Sequence, residues 1–452
     1  MKKLAKRLIP LGLFKALAPY YHLSQAMYHQ IKGGFPARSM KIIGVTGTDG
    51  KTTTSTLLTQ VLRSRGKKVA MMTTISVDYG DGAGAQPNPT RLTTFSAGHL
   101  VSVLKKIKQQ DVDYVVLEVT SHALDQRRIW GIPIHIAVMT NLGHEHLDYH
   151  RTFERYRDAK RRLFKQANKN KSGTQTGIIN ADDNVAPFFA SDIKHPLLYG
   201  RDAGDIIARN VVLTPAGSTY TAVMGEDSYD ITCNLPGGFN VYNSLAAVAT
   251  CRSLGLNKLD IETGVASLSQ VEGRMTRVDE GQDFAIIVDY AHTPESFDKL
   301  FAEVRSLTDK KLICVFGSAG RRDEAKRAAQ GKIAGKWCDI VIATEEDDRD
   351  IDREEILRQI VGGAEESGKV LNKDVLMVGK REEAVQMAIN TAKPGDLVIL
   401  LGKGHEKSIL YNGPQAAELR HLPQDDDDER RVLKRDYDEV QAVKNAIALL
   451  SK

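Results

Sequence analysis

The residues best suited to chemistry are Gly44-Val45-Thr46-Gly47-Thr48-Asp49-Gly50-Lys51-Thr52-Thr53-Thr54. Glycines let backbone N–H groups close around phosphate oxygens, and a helix N-terminus behind them adds a favourable dipole. Lys51 would then reach the β- and γ-phosphates of a nucleotide, and the following Thr hydroxyl would hold Mg²⁺. The strict phosphate-loop pattern asks for Gly where this chain has Val45, so the loop is a variant. Such a loop needs a strand before it and a helix after it. Met40-Lys41-Ile42-Ile43 reads as the buried strand, and Ser55 to Leu62 has helical apolar spacing.

Other residues could join that chemistry. Tyr114 to Val119 is an apolar run that carries Glu118 near its end, and an acid at a strand tip beside such a loop commonly serves Mg²⁺. Ile136 to Leu142 is a further strand. It leads to Gly143-His144-Glu145-His146-Leu147-Asp148-Tyr149-His150, with three histidines and two acids in eight residues, a density that suggests metal or proton chemistry. Phe153 to Phe164 is a charged helix carrying Lys160, which by position alone reads as a surface lysine. Asn240 and Asn243 open an Ala-rich helix, where Asn usually caps. Beside a nucleotide, Asn can also read an adenine edge.

The elements that position these residues alternate strand and helix from 40 to about 235, as in a doubly wound α/β domain. A second α/β pattern begins near Gly273-Arg274-Met275. Its strands are Phe284–Asp289, Leu312–Phe316, Ile340–Thr344 and Leu397–Leu401, each ending in polar residues that would face a cleft. The reading is therefore a phosphate-loop central domain with a parallel sheet (40–272), a C-terminal Rossmann-like α/β domain (273–452) and a short helical, basic N-terminal segment (1–39). The acid run Asp425 to Glu429 reads as a solvated loop, and Val440 to Leu450 as a terminal helix.

Bulk properties narrow the classes. At 452 residues the chain can bury several cores, and length alone suggests about three domains. A net charge of +5 with no aromatic-interleaved basic stripe argues against nucleic-acid binding. Four scattered cysteines with no CxxC fit a reducing cytoplasm better than a disulfide framework. No run of about 18 apolar residues exists to span a membrane. In the N-terminal segment Lys2, Lys3, Lys6, Arg7 and Lys15 alternate with apolar residues, interrupted by Pro10 and Pro19. Two readings stay open there: an amphipathic segment on an anionic membrane surface, or, the one favoured, a helix packed on the next domain.

In combination and order, GVTGTDGKTTT, EVTSHAL, TNLGHEHLDYH, YRDAKRRLF, GGFNVYNSLAA, EGRM, VDYAHTP and GKGHE resemble the Mur ligase family, in particular its tripeptide-synthetase branch. The resemblance runs from about Lys41 to Arg431. It implies an ATP-dependent ligase of peptidoglycan precursor synthesis, cytoplasmic and monomeric, acting on small molecules. ATP phosphorylates a carboxylate, an amino acid's amine attacks the acyl phosphate, and an amide, ADP and phosphate result. It implies nucleotide contacts from Gly47, Thr48, Asp49, Gly50, Lys51, Thr52, Thr53, Asn243, Asp289 and His292, with Arg274 reaching the γ-phosphate as the domains close. It implies that Thr52 holds one Mg²⁺, that Glu118 and His146 hold a second, and that Lys160 is carbamylated so that it can face a cation. Thr93, Thr94, Ser121 and Arg128 would grip a muramyl dipeptide, and Arg322, Asp347, Arg349, Gly402 and Glu406 would form the amino-acid pocket. An arginine fork suits an α-carboxylate.

The chain departs from the family pattern in places. Phe95 stands for a Pro, Asp49 for an Asn, Glu145 for an Asp and Arg321 for an Asp. Glu346-Asp347-Asp348-Arg349 replaces Asp-Asn-Pro-Arg. The extra acids predict a cationic amino acid such as lysine, ornithine or a diaminopimelate. About 40 residues precede the loop, too few for the family's uridine-nucleotide domain, so a lipid-linked acceptor is a further expectation. The competing readings are a related ligase acting on a folate or polyamide carboxylate and a non-catalytic nucleotide-binding scaffold. Retention of Lys160, His146 and Glu118 disfavours the scaffold.

Overall fold

The computed structural model describes residues 11–88, 90, 92–320, 324–349, 351–411, 424–427 and 430–450. The chain divides into two compact units: one holds residues up to Ser269 except two short segments, and the other holds those segments and Gln270 onward.

The first unit is built on an 11-stranded sheet. Its strands are β1 (Lys41–Thr46), β2 (Val69–Met72), β3 (Ser76–Asp78), β4 (Gln86–Pro87), β5 (Tyr114–Glu118), β6 (Ile134–Met139), β7 (Thr176–Asn180), β8 (His195–Gly200), β9 (Ile206–Thr214), β10 (Gly217–Met224) and β11 (Asp227–Cys233). The order is β11-β10-β9-β8-β7-β6-β1-β5-β2-β3-β4. β1 lies between β5 and β6, parallel to both. Such strands are covered on both faces, so they read as continuous apolar runs, and Ile42, Ile43, Val45, Val115, Val116, Ala137 and Val138 are fully buried. Register pairs Val45 with Glu118 and Thr46 with Met139. Three carboxyl ends therefore stop level, at the edge where open α/β sheets bind ligands. The β1 strand runs through Gly44-Val45-Thr46, so the first part of the glycine-rich stretch is sheet and the turn proper is 47–50. β10 and β11 form an antiparallel hairpin that extends the sheet beyond its parallel part.

The N-terminal helix Leu11–Gly33 belongs to this unit and packs on the helix Ala97–Lys108. Ala26 and Gln30 are buried on the packed side, and Gly33 approaches Val101 so closely that a Cβ there would lie 2.4 Å from Val101 Cγ1. Close helix packing, the favoured reading of this segment, is what the fold contains in its described part, and residues 1–10 of the segment lie outside the described residues.

The second unit has a six-stranded sheet of β12 (Thr276–Arg277), β13 (Ala285–Asp289), β14 (Leu312–Phe316), β15 (Ile340–Ala343), β16 (Val375–Met377) and β17 (Leu397–Leu401), in the order β12-β13-β17-β14-β15-β16. All neighbours are parallel except β12 with β13. A small antiparallel sheet follows, of β18 (Ser408–Tyr411), β19 (Gln424–Asp427) and β20 (Arg430–Asp436). The acid run read as a solvated loop is corrected here. Its first residues form β19, and the register sets Asp426 opposite Arg431 and Asp427 opposite Arg430.

Candidate active site

The glycine-rich turn is held from several sides. Gly47 has φ 155° and Gly50 φ 77°. A Cβ on Gly47 would fall 1.8 Å from Thr140 Oγ1, and one on Gly50 2.1 Å from Asn243 Oδ1, so neither position admits a side chain. Thr140 Oγ1 donates to the Asp49 carbonyl at 2.6 Å, and the Asp49 N–H donates to Asn141 Oδ1 at 2.9 Å. Lys51 Nζ folds back to donate to the Thr48 carbonyl at 2.6 Å. The helix Lys51–Ser64 starts at once after Gly50, which has no side chain to cap it. Its first-turn amides therefore face the turn, as an anion site requires. Thr53 is buried in that first turn. Asn243 is buried too: it meets the loop's Gly50, accepts from Thr54 Oγ1 at 3.3 Å and donates to Asn240 Oδ1 at 2.8 Å.

Glu118, at the tip of β5, links the turn to the next loops. Its Oε2 accepts from Thr52 Oγ1 and from the Thr74 N–H, both at 2.9 Å, and its Oε1 accepts from Thr74 Oγ1 at 3.0 Å. The Thr93 hydroxyl lies 2.9 Å from that of Thr74. Thr94 Oγ1 donates to the Glu118 carbonyl at 3.1 Å, and Arg128 Nη1 donates to the Thr94 carbonyl at 3.0 Å. One chain of contacts thus runs from the phosphate turn through Thr52 and Glu118 to Thr94 and Arg128.

On the other side, Tyr156 is a fully buried hub. Its hydroxyl shares a 2.9 Å hydrogen bond with Thr48 Oγ1, and its ring lies 4.6 Å from Lys160 Nζ and 6.2 Å from the His146 ring. Lys160 is not on the surface: it is 2% exposed, and Nζ donates to the Gly47 carbonyl at 2.5 Å. Burial, and then the nearby Lys51 charge, push its pKa well below the ordinary lysine value. His146 precedes a short helix with φ 56°, its ring 4.7 Å from His122 and its Nε2 3.6 Å from Glu145. His150 Nε2 lies 3.0 Å from Ser121 Oγ. Burial and the neighbouring His122 bring the His150 pKa down to about 4.

The oxygen donors Thr52 and Glu118, in contact and buried, are the chemistry a hard divalent cation takes. Among the described residues no group of three or more His, Cys, Asp or Glu side chains forms a self-contained cation site. Mg²⁺ in phosphoryl-transfer sites takes only one or two carboxylates and completes its shell with phosphate and water, so these two donors fit it.

In the second unit the expected residues gather at the carboxyl ends of β13, β15 and β17. Asp289 accepts from the Met275 N–H at 2.8 Å and the Ala291 N–H at 2.7 Å, which fixes the chain beside Arg274. Arg274 lies over the Tyr290 ring at 5.2 Å. His292 Nδ1 lies 3.0 Å from the Tyr290 carbonyl. Arg349 has φ 56° and its N–H donates to the Leu410 carbonyl at 3.1 Å. Lys403 is fully buried and donates to Asp347 Oδ1 at 2.9 Å and to Glu406 Oε2 at 2.7 Å. Burial opposes its charge, but Asp347 and Glu406 outweigh that and hold its pKa above the ordinary lysine value. Gly402 has φ 100°, and a Cβ there would meet Glu346 Oε2 at 2.6 Å. That oxygen is buried without a hydrogen-bond partner among the described residues, and burial raises the Glu346 pKa. Asp348 pairs with Arg353 Nε at 2.7 Å. Arg322 lies outside the described residues.

Thr74, Thr140, Asn141, Tyr156, His122 and Lys403 were not singled out by sequence reasoning. Thr74 and Thr140 each follow a strand closely, and that position was their available signal. Tyr156, one helical turn before Lys160, shares its face by spacing.

The chain matches the model of the Mur ligase middle domain over residues 45–251, and that of the Mur ligase, glutamate ligase domain over 273–404. It is 41% identical over 414 residues to the UDP-N-acetylmuramyl-tripeptide synthetase of Roseiflexus sp. (strain RS-1), covering 88% of this chain and 78% of the relative. It is 37% identical over 378 residues to the UDP-N-acetylmuramoyl-L-alanyl-D-glutamate--2,6-diaminopimelate ligase of Geobacillus kaustophilus (strain HTA426), covering 82% and 76% of the two chains. A solved structure of a ligase of the latter name is similar with a TM-score of 0.65 and 28% identity, over 96% of this chain and 83% of that one. Mycobacterium tuberculosis folylpolyglutamate synthase, at 16% identity and a TM-score of 0.67 over 84% of this chain and 92% of that one, shares the fold.

Proposed function

The chain belongs to the Mur ligase family of ATP-dependent amide ligases, and we propose that it joins a diamino acid to the carboxylate of a muramyl dipeptide in peptidoglycan precursor synthesis. The observation that carries this is the continuous contact path from the phosphate turn through Thr52 and Glu118 to Thr94 and Arg128. It supports a γ-phosphate and a carboxylate held end to end, which is the arrangement an acyl phosphate needs.

In this reading a carboxylate oxygen of the acceptor attacks the γ-phosphorus, and the bond to the β-γ bridging oxygen breaks, releasing ADP. The amine of the amino acid then attacks the acyl carbon, loses a proton, and expels inorganic phosphate. Lys51 and the first-turn amides position and neutralise the phosphates. Thr52 and Glu118, with His146 and a carbamylated Lys160, would hold Mg²⁺, which supplies charge neutralisation on the phosphoryl oxygens. Lys160 suits carbamylation because CO₂ reacts with a neutral amine, and burial favours that form. Arg349 and Arg322 would pair with the amino acid's α-carboxylate.

The acids 346–348 give the diamino preference less support than their number suggests. Asp347 and Asp348 already pair with Lys403 and Arg353. Glu406 pairs with Lys403 as well, so Glu346 Oε2, buried without a hydrogen-bond partner among the described residues, carries the argument for a cationic side chain. The 2,6-diaminopimelate ligases among the relatives support the same class.

The test is phosphate release from ATP and Mg²⁺ with UDP-N-acetylmuramoyl-L-Ala-D-Glu and a panel of amino acids. Release that requires both the acceptor and one diamino acid is expected. Release with a folate or polyamide acceptor, or none with any diamino acid, would overturn the reading.

A further inference from the structure

The helix Leu11–Gly33 has two different sides from Tyr20 onward. Ala26 and Gln30 are buried against its own unit. The opposite side is not polar, as a solvent-facing side normally is. Tyr20 is 72% exposed, Ile31 64% and Tyr28 55%, and Tyr21 and Met27 are exposed as well. With Ser24 these positions span an arc of about 120° at 3.6 residues per turn. Scattered exposed apolar residues are normal, but a contiguous aromatic stripe on one helix points to a binding surface.

Charge says what covers it. Eight Lys and Arg and no Asp or Glu precede Asp49, so this stretch carries +8 against +5 for the whole chain. Lys32 is exposed at the edge of the stripe, its Nζ 5.7 Å from the Tyr28 ring. Lys105, Lys106 and Lys108 are exposed on the neighbouring helix, and Lys105 reaches Gly33. Residues 1–10 add Lys2, Lys3, Lys6 and Arg7. A second copy of such a surface would be repelled by the first. Tyrosines with flanking lysines are the residue types that settle at a lipid headgroup boundary, and each nearby cation adds attraction to anionic lipid. No helix among the described residues is long and apolar enough to cross a membrane, so the contact would lie in the surface plane.

We infer that the exposed side of this helix is a peripheral docking surface for anionic membrane, with the aromatic stripe inserted at headgroup level and Lys32 and the exposed lysines of the neighbouring helix beside it. It goes beyond the ligase reading and can fail or hold independently of it.

The test is co-sedimentation of the full chain with vesicles of phosphatidylcholine alone or mixed with phosphatidylglycerol, at low and high salt. Pelleting only with the anionic vesicles, weakened by salt, is expected. The variant Tyr20→Ser/Tyr28→Ser/Ile31→Ser should lose at least about tenfold in vesicle affinity, with an unchanged circular dichroism melt. A second variant, Lys32→Gln/Lys105→Gln/Lys106→Gln/Lys108→Gln, should bind the anionic vesicles more weakly and with a shallower salt dependence. No pelleting, pelleting untouched by the triple variant, or a concentration-dependent dimer that the triple variant abolishes would overturn the proposal. So would binding that appears only after removal of residues 1–10, since the face would then be covered by the chain's own N-terminus.

Discussion

Lys160 Nζ donates to the Gly47 carbonyl at 2.5 Å, so a lysine from the middle of a strongly charged helix ends inside the phosphate turn. Its burial disfavours the ammonium, and Lys51 adds like-charge repulsion. Lys160→Met should lower turnover by about 10²- to 10³-fold, the cost of losing a charge-stabilising group in such a site. The fold should survive. A lysine whose folded pKa is lowered leaves the native state with fewer protons than the unfolded chain, so its linkage makes stability rise with pH up to the ordinary value of 10.5. Removing it should leave the melting temperature at neutral pH unchanged or higher. A ¹³C carbamate signal after incubation with labelled bicarbonate, absent in the variant, would confirm the modified form.

Glu118 holds Thr52 and Thr74 at once, and the two contacts separate a ligand role from a positioning role. Glu118→Gln should cut kcat by about 10²-fold or more and raise the Mg²⁺ concentration needed for half-maximal rate. Thr74→Val removes only the hydroxyl and keeps the backbone N–H bond. It should cost about tenfold, mostly in the KM of the acceptor, because the Thr93 hydroxyl loses its 2.9 Å neighbour. Equal kcat losses in the two variants would mean that Thr74 does more than orient.

Much of this site was legible in the sequence because strand tips and a glycine-rich turn leave strong local signals. Glu118 ends an apolar run, the loops carrying Lys51 and His146 follow two others, and parallel strands bring such ends to one edge. Lys160 was legible only through resemblance, since nothing in a helical pattern marks which lysine turns inward. The hubs were harder. Tyr156 and Thr140 act through hydrogen bonds to residues more than 90 positions away, and spacing carries no trace of such contacts. The acid run misled for the opposite reason: composition said solvent, while Asp425, Asp426 and Asp427 lie in a strand paired with β20.

Lys403 is the buried cation between Asp347 and Glu406. Lys403→Met keeps most of the volume but leaves Asp347 facing an apolar group in the interior. Breaking one side of a buried ion pair costs about 3–5 kcal/mol, so urea unfolding of this variant should shift by that amount with no change in m-value. Asp347→Asn/Lys403→Met should recover part of the loss. A shift below about 1 kcal/mol would show that water reaches the pair.

His150 Nε2, 3.0 Å from Ser121 Oγ, couples this part of the fold to pH. Its neighbours are Ser121, His122, Tyr149 and Tyr156, with the charges of Asp125, Lys160 and Arg162 acting on it. Its folded pKa is lowered from 6.5 to about 4, burial being the main cause. Between these values the unfolded chain binds a proton that the native state does not. Stability should therefore be complete above pH 6.5 and fall as pH drops toward about 4. In His150→Gln, the amide can still bond Ser121 but cannot titrate. Its melting temperature should be less steep across that window and within a few degrees of the parent at pH 8. Parallel melting curves for the two proteins from pH 7 to 4.5 would mean that His150 is already protonated in the native state.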